Sequence, residues 1–215
     1  MKIVLLLLIN ILLSLSICIN SNEIMSWLCL ERCGDNSTYI QYQLNQIQAN
    51  VNRFKSISFE IYNLGPNSTL IQNNLTDVSN IINAMGLETY AMISSYPYPS
   101  NFIDYMREVF NNPTPFINDC IINAKEKKLT GYNIDWEPTN SDDITQEDSI
   151  NYANFLNRFS NEMHKHDIKV SVDIGLWSPI WNLTAISNTN IDQIITMNTY
   201  TNNKNTWYDV SACFV

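Results

Sequence analysis

Short runs of alternating apolar and polar residues, rich in β-branched and aromatic side chains, recur along this chain. Between them lie longer stretches whose apolar residues return every three to four positions. The first pattern is that of strands and the second that of amphipathic helices. Strands are predicted at residues 26–30, 56–64, 88–94, 131–136, 169–174 and 193–200, and helices at 39–51, 75–85, 101–127 and 145–166, with a shorter candidate at 183–187. Pro113 and Pro115 interrupt the third helix, because a proline inside a helix removes a hydrogen bond and clashes with the preceding turn. Strand followed by helix, repeated in one linear series, predicts an α/β fold of the (β/α)8 TIM-barrel type. About six βα units are present, so the barrel is expected to be incomplete, two units short of closure. The competing architecture is a doubly wound open sheet. It is disfavoured because no glycine-rich phosphate loop follows the first strand, and the whole chain holds only 5 glycines.

The N-terminus reads differently. Lys2 precedes an almost unbroken apolar run over 3–17, which closes on small or polar residues. A positive start and a short apolar core predict a cleaved signal peptide over 1–20, leaving 21–215 as one domain. A secreted or lysosomal protein is therefore expected. Four Asn-x-Ser/Thr acceptors agree with that: Asn36, Asn67, Asn74 and Asn182. Once Cys18 leaves with the signal, Cys29, Cys33, Cys120 and Cys213 remain in an oxidising compartment. Four cysteines permit three pairings, of which Cys29 with Cys33 is preferred. No metal or other cofactor is expected, since no Cys/His cluster has ligand spacing and His164 and His166 share a polar helix end. The formal net charge of -9 argues against nucleic acid or an anionic membrane as partner. A neutral sugar polymer is compatible with it.

The chemistry concentrates in Leu129-Thr130-Gly131-Tyr132-Asn133-Ile134-Asp135-Trp136-Glu137-Pro138. In a strand, residues two apart share a face, so Asn133, Asp135 and Glu137 line one side while Tyr132, Ile134 and Trp136 line the other. The polar set is expected to point into the barrel and toward its C-terminal mouth, where barrel active sites lie. Two carboxylates about 6.6 Å apart along one strand face are too costly for mere core filling. Like-charge repulsion and desolvation make such a pair a candidate proton donor near neutral pH. Glu137, nearer the mouth, is expected to be the general acid, with Asp135 beneath it. Glu60 and Asp173 are further strand carboxylates that parity turns inward, with roles left open.

This segment resembles the signature of glycoside hydrolase family 18, in which an acidic ladder Asp-x-x-Asp-x-Asp-x-Glu closes the fourth barrel strand. Asn133, Asp135 and Glu137 fall on its last three positions, with Asn133 where an Asp is usual and Thr130 where the first Asp is expected. The resemblance implies a substrate-assisted, retaining hydrolysis of β-linked N-acetylglucosamine sugars, an exception to the two-carboxylate scheme. The acetamido oxygen of the substrate would attack its own anomeric carbon. Asp135 would orient the acetamido group, and Glu137 would protonate the leaving oxygen. Met197-Asn198-Thr199-Tyr200-Thr201 resembles the family's Met-Thr-Tyr-Asp strand end, which implies that Tyr200 hydrogen-bonds the acetamido oxygen. Asn133, Trp177 and Trp181 complete the expected substrate-binding set, the two tryptophans lying just past the fifth strand. The implied ligand is chitin, a chito-oligosaccharide or the core sugar of an N-glycan. The alternatives are a lectin-like barrel that binds chitin without catalysis, or a truncated, non-functional product.

Overall fold

The computed structural model describes residues 24–31, 33 and 36–197; the leader at 1–20 and the stretch from 198 on, with Tyr200, Trp207 and Cys213, lie outside the described residues. One sheet holds β1 (Met25–Leu28), β2 (Ser56–Gly65), β3 (Thr69–Gln72), β4 (Glu88–Ser94), β5 (Gly131–Asp135), β6 (Lys169–Ile174) and β7 (Gln193–Thr196). The strand order is β1-β2-β4-β5-β6-β7, all parallel, with β3 added antiparallel to β2. Spatial order thus follows chain order without reversal. A doubly wound sheet must reverse at a switch point, so the open-sheet alternative is set aside and the curled half of a βα barrel remains.

The helices are α1 (Ser37–Ala49), α2 (Ser79–Ala84), α3 (Phe102–Asn111), α4 (Thr114–Lys127), α5 (Gln146–His164) and α6 (Leu183–Ile186). Their boundaries follow from local chemistry. Asn36 starts α1 by accepting from the backbone N–H groups of Thr38 and Tyr39. Thr145 and Asp148 form a reciprocal capping box at the start of α5. The expected break separates α3 from α4 at Pro113, with Pro115 in the first turn of α4. Residues 75–78, expected to open α2, remain outside the helix; Asp77 accepts from the N–H of Ser79 there.

The core fills the space between the outer face of the sheet and the helices. Trp136 is fully buried at its centre, stacked on Phe155 with centroids 5.1 Å apart and on Tyr152 at 5.9 Å, with Phe116 and Phe102 meeting it edge-on. Tyr132 donates its hydroxyl to the carbonyl of Cys120 on α4, so β5 is fixed to the helix layer at both ends. Burial pushes the Cys120 thiol up, and that residue packs as a small apolar side chain. Cys29 and Cys33 form a disulfide across 5.7 Å between their Cα atoms, which pins the segment after β1.

Two features of β2 and β3 were not expected. β3 returns antiparallel from the turn at Pro66–Ser68, where Asn67 takes a left-handed conformation with φ of 55°. A bulge in β2 lies between Glu60 and Tyr62, so that Glu60 pairs with Met92 but Asn63, not Tyr62, pairs with Ser94. The extra residue re-aims the last part of the strand, turning Asn63 inward and Tyr62 out against Tyr132.

Candidate active site

Strand β5 sets the geometry. Because its outward residues Tyr132, Ile134 and Trp136 are fixed in the helix layer, Asn133 and Asp135 face the concave side. Asp135 is 1% exposed at the last position of the strand. Glu137 follows two residues later at the C-terminal mouth and is half-buried. Its N–H donates to the Ser95 hydroxyl at 3.2 Å, which ties the end of β5 to the end of β4. The Asp135 side chain is thus shut off from water at the last position of the strand, while Glu137, two residues on, stays partly exposed.

Asn133 lies beneath Asp135 and is 0% exposed. Its Oδ1 accepts from the Ser58 hydroxyl at 3.0 Å and its Nδ2 donates to Asp173 at 3.0 Å. Asn133 is thus engaged inside the protein, as a bridge from β2 to β6, and is buried away from any ligand at the mouth. Trp177 and Trp181 lie in the segment after β6, on the mouth side. Trp177 is 46% exposed while Trp181 is 5% exposed and meets it edge-on, with centroids 5.1 Å apart. A Cβ on Gly175 would lie 2.4 Å from the Trp177 ring, so the glycine lets the indole fold down onto the backbone at the end of β6. Tyr200, the remaining catalytic candidate, lies outside the described residues. Asn36, Asn67 and Asn74 are exposed and Asn182 is half-buried. The side-chain oxygens of Asn36 and Asn182 cap helices, which leaves their nitrogens as the atoms a glycan would modify.

A second polar group at the mouth was not read from the sequence. Glu31, after β1, accepts from Asn63 at 2.8 Å and from the Ser94 hydroxyl at 2.7 Å, and Asn73 also donates to it. Burial, with the Glu60 carboxylate adding to it, pushes the Glu31 carboxyl above the usual range against the pull of those hydrogen bonds. Glu60 in turn accepts the backbone N–H groups of Leu30 and Glu31, both at 2.6 Å, and so holds the loop in place. Ser94 pairs with Asp135 in the strand register, so this cluster adjoins the β5 carboxylates. The signal that could have found it was the run of polar residues at the ends of β2 and β4; the bulge in β2 hid it from parity counting.

No protein-family model matches this sequence, and no curated protein is similar to it. Solved structures are similar in fold. A chitinase from Chromobacterium violaceum ATCC 12472 superposes with a TM-score of 0.64 at 15% identity, over 81% of this chain and 55% of the other. The spore cortex-lytic enzyme SleL of Bacillus megaterium QM B1551 gives a TM-score of 0.68 at 13% identity, over 82% and 42%. A class V chitinase from Nicotiana tobaccum gives 0.62 at 17% identity, over 82% and 52%, and a variant of it is solved in complex with NAG4. The chain spans about half the length of the structures it matches. Its parallel, curled half-barrel is thus similar in fold to part of these chitinases and of the cortex-lytic enzyme.

Proposed function

We propose that this protein belongs to a glycosidase that cleaves β-linked N-acetylglucosamine sugars by the substrate-assisted, retaining route. The observation that carries the reading is a water-excluded Asp135 at the end of β5 followed two residues later by a partly exposed Glu137. A proton donor must reach the glycosidic oxygen, and the partial exposure of Glu137 at the strand end suits that role. A group that orients and stabilises the acetamido function must be fixed and shielded, and Asp135 meets both needs. Trp177 offers an exposed aromatic face for a pyranose ring, with Trp181 as its support rather than a second contact. Tyr200 is assigned the hydrogen bond to the acetamido oxygen on its resemblance alone. No enzyme nucleophile is required, because the substrate supplies one. The substrates proposed are chito-oligosaccharides, chitin or the N-glycan core.

Secretion or a lysosomal location belongs to the same proposal, resting on the apolar leader and the four Asn-x-Ser/Thr acceptors. Material from a eukaryotic secretory host should lose mass on endoglycosidase treatment. The reading of the site is tested by assaying purified protein on a fluorogenic chitobioside between pH 4 and 7. Turnover supports it. Tight binding of the sugar without turnover at any of these pH values would instead make the protein a lectin-like barrel.

A further inference from the structure

We propose that Glu31 is a substrate contact that selects the sugar at the cleavage point, its carboxylate accepting a free ring hydroxyl of the N-acetylglucosamine unit whose acetamido group meets Asp135. The choice of that unit rests on the hydrolytic reading above; a sugar-binding carboxylate at the mouth does not. The geometry comes from the sheet. Residues paired across neighbouring strands share a face. Asn63 pairs with Ser94 and Ser94 with Asp135, so the three lie level on the concave side across β2, β4 and β5. Glu31 leaves the end of β1 and reaches the first two, accepting from Asn63 Nδ2 at 2.8 Å and from the Ser94 hydroxyl at 2.7 Å. Its carboxyl therefore stands beside this row, with one strand spacing, about 4.8 Å, between Ser94 and Asp135. A single pyranose ring bridges that span, with its acetamido group toward Asp135 and a hydroxyl toward Glu31.

The surroundings of Glu31 are built for a ligand contact. The Cys29–Cys33 disulfide closes around it, and the buried Glu60 accepts the N–H groups of Leu30 and Glu31, both at 2.6 Å, so its backbone is fixed from two directions. The carboxyl is fixed in turn. Asn63 and Asn73 donate to Oε1 and Ser94 to Oε2. The Ser94 oxygen already accepts from Asn63 at 2.7 Å and from the Tyr96 N–H at 3.2 Å, so its own proton is committed to Glu31. A carboxylate offers about four acceptor sites, and these donors leave one open on Oε2 among the described residues. The donors are all neutral, and burial, with the Glu60 carboxylate adding to it, pushes the Glu31 carboxyl up against their pull. Keeping a half-buried charge on neutral partners alone is costly to the fold, and a further donor from a ligand offsets part of that cost. A rigid carboxylate, reachable from the mouth and one donor short, is what a sugar hydroxyl requires.

The test is a thermodynamic cycle between side chain and sugar, run on the intact protein carrying Glu137→Gln so that the ligand is not consumed. The ligands are a fluorogenic chitobioside and two analogues that lack, on the ring bearing the fluorophore, either the secondary or the primary hydroxyl. That ring carries the bond to be cut, and these are the two hydroxyls its linkages leave free. Calorimetry gives Kd for each ligand with and without Glu31→Gln. A hydrogen bond to a charged group is strong enough that Glu31→Gln should weaken binding of the unmodified chitobioside about tenfold or more, and deleting the hydroxyl it meets should do the same. Removing both should cost less than about threefold beyond removing either, while the other analogue feels the full effect of Glu31→Gln. A carboxylate that only shapes the mouth weakens all three ligands alike; that result, or no loss with either analogue, would overturn the proposal. Circular dichroism checks the fold, and Glu31→Asp, which keeps the charge and draws it back by one methylene, repeats the cycle if Glu31→Gln does not fold. With Glu137 restored, turnover of the chitobioside reads the hydrolytic proposal separately. Coupling without turnover leaves Glu31 as a contact of a lectin-like barrel, and turnover without coupling removes Glu31 alone.

Discussion

Trp136 links the stability of this fold to the placement of its carboxylates, because it is the residue between Asp135 and Glu137 and the centre of the aromatic cluster. Replacing it by Ala removes a side chain that is 0% exposed and contacts four other rings. Burying an aromatic of this size removes roughly 200 Å² from water, about 5 kcal/mol at 25 cal/mol per Å². Partial collapse of the surrounding rings brings the expected cost to about 3–5 kcal/mol. For a domain of this length, each kcal/mol moves the melting temperature by about 2–4 °C, so Trp136→Ala should melt roughly 6–20 °C below the parent. Trp136→Phe is a different perturbation. The indole N–H finds no hydrogen-bond partner among the described residues, and leaving such a group buried costs about 1–3 kcal/mol, which Phe avoids. That gain offsets much of the lost ring area, and the net cost should stay below about 2 kcal/mol. Urea unfolding followed by circular dichroism measures both. If Trp136→Phe were as damaging as Trp136→Ala, or if Trp136→Ala cost less than about 1 kcal/mol, the cluster would not be what holds β5 against the helices.

The Arg107 guanidinium, hydrogen-bonded to Asp148 at 2.8 Å through two nitrogens, holds the Asp148 carboxyl down at about 2. A carboxyl depressed on folding contributes stability that is present above its unfolded value, near 3.9, and is lost as pH falls toward the folded one. With Arg107 more than a third exposed, the contribution is about 1–2 kcal/mol. Asp148→Asn should therefore lower stability by that amount at pH 7 and flatten its dependence between about pH 4 and pH 2; an unchanged acid limb of the unfolding curve would contradict this. Gly175→Ala would drive a methyl group into the Trp177 ring. Together with Trp177→Ala, it should raise KM for chito-oligosaccharides about fivefold with little change in kcat, and an unmoved KM in both variants would dismiss Trp177 as a sugar platform.

Much of the fold was legible because strand parity and helix periodicity are local. The strands at 88–94 and 169–174 coincide with β4 and β6, and the proline break fell between α3 and α4. The inward turn of Asn133 and Asp135 on β5 followed from period two alone. What escaped was either too short or non-local. β3 has four residues, and its pairing depends on a turn that places Asn67 in a left-handed conformation. The bulge in β2 breaks parity, so that Asn63, an odd number of positions from Glu60, also faces inward to Glu31 and Ser94. Asp173 could be placed on the inner face, but not the amide of Asn133 on its carboxylate, since that contact joins residues 40 apart in sequence. Trp177 and Trp181 could not be ranked, because exposure after a strand end depends on a glycine two residues away.

The central claim is that Glu137 moves the proton in a site that binds N-acetylglucosamine sugars. Glu137→Gln keeps the size and most of the hydrogen bonding of the side chain while removing the transferable proton. Its kcat on a fluorogenic chitobioside and its Kd for a chito-oligosaccharide, measured beside the parent, test that claim most directly. Turnover should fall by at least about 10²–10⁴-fold while the Kd stays within about threefold. A variant that turns over at near the parent rate would place the acid elsewhere, and one that loses sugar binding in step with turnover would make Glu137 a contact residue rather than the proton donor.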